Sequence, residues 1–195
     1  MNMDQTTLMA LVIAGVAVVV LAGVFIVYRK QKRQHLKQRF GAEYDRTVRE
    51  LNDPTKAERE LINREKRVQN FSITALSPAA RDRFAEEWNL VQGRFVDDPA
   101  IAVNEADSLV NRVMVARGYP VGDFEQRAAD VSVTYPAVVQ NYRAARAIVL
   151  RHGRGEAATE DLRQAMVHYR SLFDELLGAR AAVTATSPVL QQRAS

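Results

Sequence analysis

The sequence predicts an all-α protein with an N-terminal single transmembrane helix, a charged helical stalk and an antiparallel helical bundle. Three observations carry that prediction. The stretch "LMALVIAGVAVVVLAGVFIVY", Leu8 to Tyr28, holds no charged side chain in 21 residues. At about 1.5 Å per residue it spans the roughly 30 Å hydrocarbon layer of a bilayer. Further on, apolar residues recur at intervals of three and four, the period of a helix and not of a strand. Finally, Pro54, Pro78 and Pro99 each follow a residue able to cap a helix, namely Asp53, Ser77 and Asp98. An acceptor at the N-cap with Pro at the first helical position favours a helix start twice over.

The elements follow in chain order. Residues 1–7 form a short tail and residues 8–28 the membrane helix, anchored by Leu8 at one end and by the interfacial aromatic Tyr28 at the other. A cleavable signal peptide would need a basic start and a shorter apolar core, and this chain has no Lys or Arg before residue 29. Residues 29–39 carry Arg29, Lys30, Lys32, Arg33, Lys37 and Arg39 and no acid. The formal net charge of +4 comes from this run alone, because the residues after it hold 21 Lys+Arg against 22 Asp+Glu. A nucleic-acid-binding face would spread its cations over a folded surface, so nucleic acid is not an expected partner. A basic run beside a spanning helix is instead retained in the cytoplasm, which puts the N-terminus outside and the bulk of the chain inside. Its second expected role is contact with anionic lipid headgroups. With no cysteine, the chain has neither disulfides nor thiolate metal ligands.

Residues 40–76 read as the stalk. Leu36, Phe40, Tyr44, Val48 and Leu51 recur at helical spacing, Leu61, Val68 and Phe71 repeat the idea, and the alternating charges from Lys56 to Arg67 predict a solvated face. Residues 77–178 read as the bundle. Phe84, Trp88, Val91 and Phe95 make one stripe; Val103, Ala106, Leu109, Val110, Val113 and Met114 make a second, ending at Gly118. A third runs from Val138 to Val149 and stops at Gly153. The last begins at Thr159 as a candidate cap and continues through Leu162, Ala165, Met166, Tyr169, Leu172, Phe173 and Leu176. Residues 179–195 lose periodicity and are expected to be disordered.

Chemistry is sparse. The irregular segment Arg117–Pro136 has Asp123 as a cap with Gln126 three residues on. Its corner, Tyr119, Asp123 and Arg127, is the expected partner surface, since loops between rigid helices often carry function. His35, His152 and His168 show no metal-binding spacing, and no phosphate loop, dinucleotide fingerprint or nucleophile elbow is present. No catalytic residue, metal or cofactor is therefore expected. Arg143, Arg146, Arg151 and Arg154 form a second basic cluster, expected to be solvated.

The blocks "RFGAEYDRTV", "GRFVDDPAIAVNEADSLV", "ARGYPVGDFEQRAADVSVTYPAVVQNYRAA" and "TEDLRQAMVHYRSLFDELL" resemble an uncharacterised family of single-pass bacterial membrane proteins, hypothetical proteins of actinobacterial and acidobacterial type. The resemblance covers most of residues 36–177 and implies no activity. Its pattern often has His in place of Tyr135 and Arg146, so an imidazole at either place is dispensable. The combined expectation is a membrane-tethered helical interaction module, an adaptor or scaffold at the inner face of the cytoplasmic membrane, with an unidentified protein partner. The alternative is a membrane-anchored small-ligand sensor or enzyme with its site near the Tyr119–Tyr142 corner.

Overall fold

Four of the helix starts are set by side-chain caps at the residues the sequence marks for them. In a computed structural model describing residues 5–178, Asp53 accepts from the amides of Thr55 at 2.7 Å and Lys56 at 3.2 Å, and Ser77 accepts from Ala80 at 3.2 Å. Asp98 accepts from Ile101 at 3.0 Å and Asp123 from Gln126 at 2.8 Å. Each satisfies an amide that the first turn of a helix leaves without an intrahelical partner. The two amides, Lys56 first, hold the Asp53 carboxyl below its ordinary pKa. That cap therefore contributes above the ordinary carboxylate range and is lost as pH falls through the depressed value.

The elements are α1 (Gln5–Phe40), α2 (Ala42–Leu51), α3 (Pro54–Gln69), α4 (Pro78–Arg94), α5 (Pro99–Ala116), α6 (Phe124–Thr134), α7 (Val139–Gly153) and α8 (Thr159–Leu177), with no strand among the described residues. The expected tail 179–195 and the first four residues of the tail 1–7 lie outside the described residues. One boundary differs from expectation. Thr159 is the first residue of α8 and not its cap; Asp161 reaches back instead, accepting from the Ala158 amide at 2.8 Å. Helix α7 ends at Gly153 as expected, and the left-handed residue beyond it is Gly155, at φ 74°.

Helices α4 to α8 surround one large core. Its apolar stripes are those read from the sequence: Phe84, Trp88 and Val91 on α4, Val103 to Met114 on α5, Val139, Tyr142 and Ala145 on α7, and Leu162 to Leu176 on α8. Trp88 stacks on Phe173 with ring centroids 4.7 Å apart. Val138 lies in the same core, while Phe95, Ile148 and Val149 are only partly buried at its edge.

The stalk takes a different form. Leu36 and Phe40 of α1, Tyr44 of α2 and Leu61 of α3 make a second, smaller core, and Val133 of α6 packs against it. The chain turns back at Gly41, at φ 51°, and again at Asn52, at φ 47°. Helix α2 thus returns along α1, and α3 runs alongside α1 in its own direction: Arg29 meets Thr55, Arg33 meets Glu58 and Arg39 meets Glu65. Instead of forming an extended stalk, residues 42–69 fold beside the end of α1 and dock on α6 and α7.

The larger core is closed by the turn after α5. Gly118 sits at φ 96°, and a Cβ there would lie 2.3 Å from the Ser72 carbonyl oxygen. Gly93, inside α4, has nothing within 4 Å of its own Cβ position. Gly118→Ala is therefore expected to destabilise the protein by at least about 1 kcal/mol. Gly93→Ala is expected to stabilise it by up to about 1 kcal/mol. Denaturant unfolding of the detergent-solubilised chain reads both.

Candidate functional site

The first feature is α1 itself, which is long and apolar enough from Ala14 onward to cross a membrane. Its apolar side chains, including Val19, Leu21, Val24, Phe25 and Ile26, are exposed along the helix. Tyr28 is exposed at its end; Leu8 also lies in α1. No Gly or Pro interrupts the helix between Tyr28 and Phe40, so the apolar stretch and the basic run are one continuous rod.

Within that run the three arginines and Lys37 meet protein groups, whereas Lys30 and Lys32 do not. Arg29 Nη2 donates to Thr55 Oγ1 at 3.2 Å, Arg33 Nε to the Tyr44 hydroxyl at 3.1 Å, and Arg39 Nε lies 2.8 Å from Glu65 Oε1. Tyr44 passes its own proton toward Glu58 at 3.2 Å, and burial pushes its pKa up. Lys37 lies over the Tyr44 ring at 5.4 Å. Lys30 and Lys32 are exposed and form no hydrogen bond or ion pair among the described residues.

Where the smaller core meets the larger one, a carboxylate is fully buried. Glu43, 0% exposed, is in the first turn of α2. Its Oε1 accepts from Arg64 Nη1 of α3 at 3.1 Å and Arg143 Nη2 of α7 at 2.9 Å, with Arg46 Nη1 at 3.5 Å. Its Oε2 accepts from Gln140 Nε2 at 2.9 Å. A charge removed from water is tolerable only with such partners. Arg64 also holds Glu60, Arg143 holds Glu125, and Arg67 holds Asp130 at 2.7 Å. Above this buried network, Arg46, Glu60, Arg64, Arg67, Glu125 and Arg143 line a cleft of about 310 Å³ between α2, α3, α6 and α7. Sequence reasoning missed Glu43, Arg64 and Asp130. The available signal was position: Glu43 lies three residues after Phe40 and four before Thr47, on the inner face of the fold-back.

The expected partner corner is largely internal. Tyr119 is buried and donates to Thr134 Oγ1 at 3.2 Å, and burial pushes its pKa up. Arg127 donates to the Gly122 carbonyl and, at 3.3 Å, to the Tyr142 hydroxyl. Asp123 is exposed, but its carboxylate is the cap of α6. What the corner offers to solvent is the loop Pro120–Asp123, with Val121 84% exposed. The structure does not bring the three residues together as a surface.

Beneath the corner lies a tyrosine interior. The Tyr142 ring packs on Phe124 with centroids 4.7 Å apart and edge-on to Tyr169 at 6.2 Å. Burial, reinforced by Asp107, pushes the Tyr142 phenol up to about 12. The same two causes push Tyr169 higher still. The Tyr169 hydroxyl lies close enough to Asp107 to feel its charge, yet neither that hydroxyl nor Asp107 Oδ1 completes a hydrogen bond of ordinary geometry. Arg117, also missed, ties this unit shut by donating to the carbonyls of Thr74 at 3.2 Å and Leu176 at 2.9 Å, and to the Tyr135 hydroxyl.

Trp88 is 2% exposed and edges a cleft of about 390 Å³ between α4 and α8, with Arg170 over its ring at 5.6 Å. Arg146 lies over Phe124 at 5.6 Å, Arg151 pairs with Asp161 at 3.1 Å and Arg154 with Glu156 at 2.7 Å, so the second basic cluster is matched by acids and a ring. His35 is exposed, and His152 and His168 are half-buried. Among the described residues no group of three or more acids and histidines could hold a metal ion.

Removing the Glu43 carboxylate leaves three guanidinium groups facing one another. Glu43→Ala is expected to cost about 3–5 kcal/mol in unfolding free energy. Asp174→Ala, which breaks the surface pair with Arg170, is expected to stay within about 0.5 kcal/mol of the parent chain in the same unfolding measurement.

No protein-family model matches the chain, and no curated protein and no solved structure is significantly similar to it.

Proposed function

We propose that the protein is a membrane-tethered helical interaction module, an adaptor or scaffold whose antiparallel bundle is held at the inner face of the cytoplasmic membrane. The observation that carries this reading is the continuity of α1. One unbroken helix runs from exposed apolar side chains into Leu36 and Phe40, which are buried in the smaller core. An anchor built this way confines the folded part to a plane and makes it turn and tilt together with the helix. Confinement raises the local concentration of a binding module without any new contact, which is what recruitment requires. The orientation rests on the six cations of residues 29–39 against none before them. The sequence resemblance to single-pass bacterial membrane proteins supports the same reading.

The partner is a second protein, and the loop Pro120–Asp123 is its proposed point of contact, because Val121 there is exposed and apolar. Cross-linking in intact native membranes is expected to capture a partner, and Val121→Asp is expected to abolish capture without changing the helical content of the protein. An unchanged cross-link pattern moves the contact elsewhere. Protease added to whole cells is expected to leave the folded part intact. Its digestion from outside, or a mature chain beginning beyond residue 28, overturns the tether and its orientation.

One observation favours a second reading, a membrane-anchored ligand sensor or enzyme near the Tyr119–Tyr142 corner. The Tyr169 hydroxyl and Asp107 Oδ1 are buried and face each other without a hydrogen bond of ordinary geometry, and such atoms are of the kind a small polar ligand or water satisfies. Such a ligand at 100 times its Kd stabilises the fold by about 2.7 kcal/mol. A rise in Tm of the detergent-solubilised chain with an added metabolite supports this reading over the first.

A further inference from the structure

The turn between α2 and α3 stands at the height where α1 leaves its apolar stretch. Arg29, the first cation after Tyr28, bonds directly to Thr55 at 3.2 Å. The register of α2 gives the same height independently. Tyr44 faces Arg33 at 3.1 Å, and α2 runs back along α1. Seven residues further on, at Leu51, the chain has climbed about 10 Å, to the level of Ile26. At that level α1 presents Phe25, 59% exposed, and Ile26, 65% exposed. Leu51 continues the inner stripe of α2 through Tyr44 and Val48, yet it is 41% exposed and lies beyond the smaller core.

The charges around the turn are sorted by sign. Lys30, Lys32, Arg49, Lys56 and Arg59 are exposed, and their side chains form no hydrogen bond or ion pair among the described residues. The neighbouring acids are engaged by protein groups: Glu50, though exposed, pairs with Arg46 at 2.5 Å, Asp53 caps α3, Glu58 takes the Tyr44 hydroxyl, and Glu60 holds Arg64. A surface with apolar side chains at its tip, cations free of ion pairs around it and its acids engaged matches an anionic bilayer surface.

We infer that the α2–α3 turn is a second membrane-contacting element. Leu51 enters the boundary between headgroups and acyl chains beside α1, while Lys56, Arg59 and Arg49 join Lys30 and Lys32 on anionic headgroups. This rests on the reading of α1 as the membrane helix and deepens it. A single spanning helix is free to rotate about its axis; a second contact on a different helix fixes which side of the folded part faces the lipid.

The chain has no cysteine, so single substitutions to cysteine place one fluorescent label each. The full chain is reconstituted into vesicles of phosphatidylcholine with phosphatidylglycerol, carrying spin-labelled lipid quenchers at mid-acyl or at shallow depth. Val20→Cys reports the anchor and Leu51→Cys the turn. Gln69→Cys, at the far end of α3 and exposed, is the reference in water, about 20 Å along the helix from Thr55. The expected result is quenching of the Val20 label by the mid-acyl quencher and of the Leu51 label by the shallow one, with the Gln69 label untouched. Each cation removed is expected to lower the ratio of engaged to lifted turn about fivefold. The pair Lys56→Gln and Arg59→Gln, or vesicles of phosphatidylcholine alone, should therefore reduce quenching at Leu51 and leave Val20 unchanged. A Leu51 label no more quenched than Gln69, beside a quenched Val20, overturns the turn contact and leaves the tether standing. An unquenched Val20 label overturns both. Quenching at Leu51 that ignores the charge changes overturns the assignment of the cations to headgroups.

Discussion

The arrangement of the two cores depends on one buried carboxylate. Glu43 belongs to α2, but the groups that make its burial tolerable come from α3 and α7: Arg64 on one side, Arg143 and Gln140 on the other. Such a network adds little stability over an apolar plug of the same shape, since desolvating the charges cancels much of their attraction. What it adds is register. A Leu stripe tolerates a slide of one helix along another, whereas a carboxylate shared by two guanidinium groups and an amide is satisfied in one position only. The first turn of α2 is thereby fixed against the larger core, and the fold-back of α2 and α3 follows.

From that fixed point rigidity passes to the long apolar helix α1. Between Glu43 and the apolar stretch of α1 the chain has one break, at Gly41, and there the helices on both sides are pinned by Phe40 and Tyr44 in the same small core. Arg29, Arg33 and Arg39, meeting Thr55, Glu58 and Glu65, then fasten α1 along α3 over nearly three turns. A rotation or tilt of the apolar helix therefore cannot be absorbed in a flexible linker. It moves α2 and α3, and through Glu43 and Asp130 it moves α6 and α7. This coupling distinguishes the arrangement from a domain on a leash.

The helices and their starts were largely legible in the sequence, because caps at Asp53, Ser77, Asp98 and Asp123 and stripes at helical spacing are local signals that tertiary structure has no reason to override. The stalk was not. A stripe such as Leu36, Phe40, Tyr44 and Leu61 says that a face is covered but not by what, and the two reversals hang on single left-handed residues, Gly41 and Asn52, which carry no periodic mark. Glu43 reads as a solvated acid until its cations, 21 and 100 residues away, are brought beside it. Arg117 is hidden for a similar reason: its partners at Thr74 and Leu176 are backbone carbonyls, to which composition is blind. The corner at Tyr119 looked like a surface because its composition is that of a loop, whereas its long side chains turn inward to complete the larger core.

The basic run shows how one charge pattern meets two demands. Topology responds to the number of cations beside the apolar helix and is indifferent to their kind. Folding is not indifferent. The planar, multi-donor guanidinium suits a fixed bond to Thr55, to the Tyr44 hydroxyl or to Glu65, and the arginines occupy those places. The compact and strongly hydrated ammonium suits water or headgroups, and Lys30 and Lys32 are exposed on the same helix. Helical spacing allows the division: Arg29 and Arg33 are one turn apart and share a face, while Lys30 and Lys32 flank that face on opposite sides. A run that reads in one dimension as undifferentiated positive charge is in three dimensions a strut along one face with free cations on either flank of it.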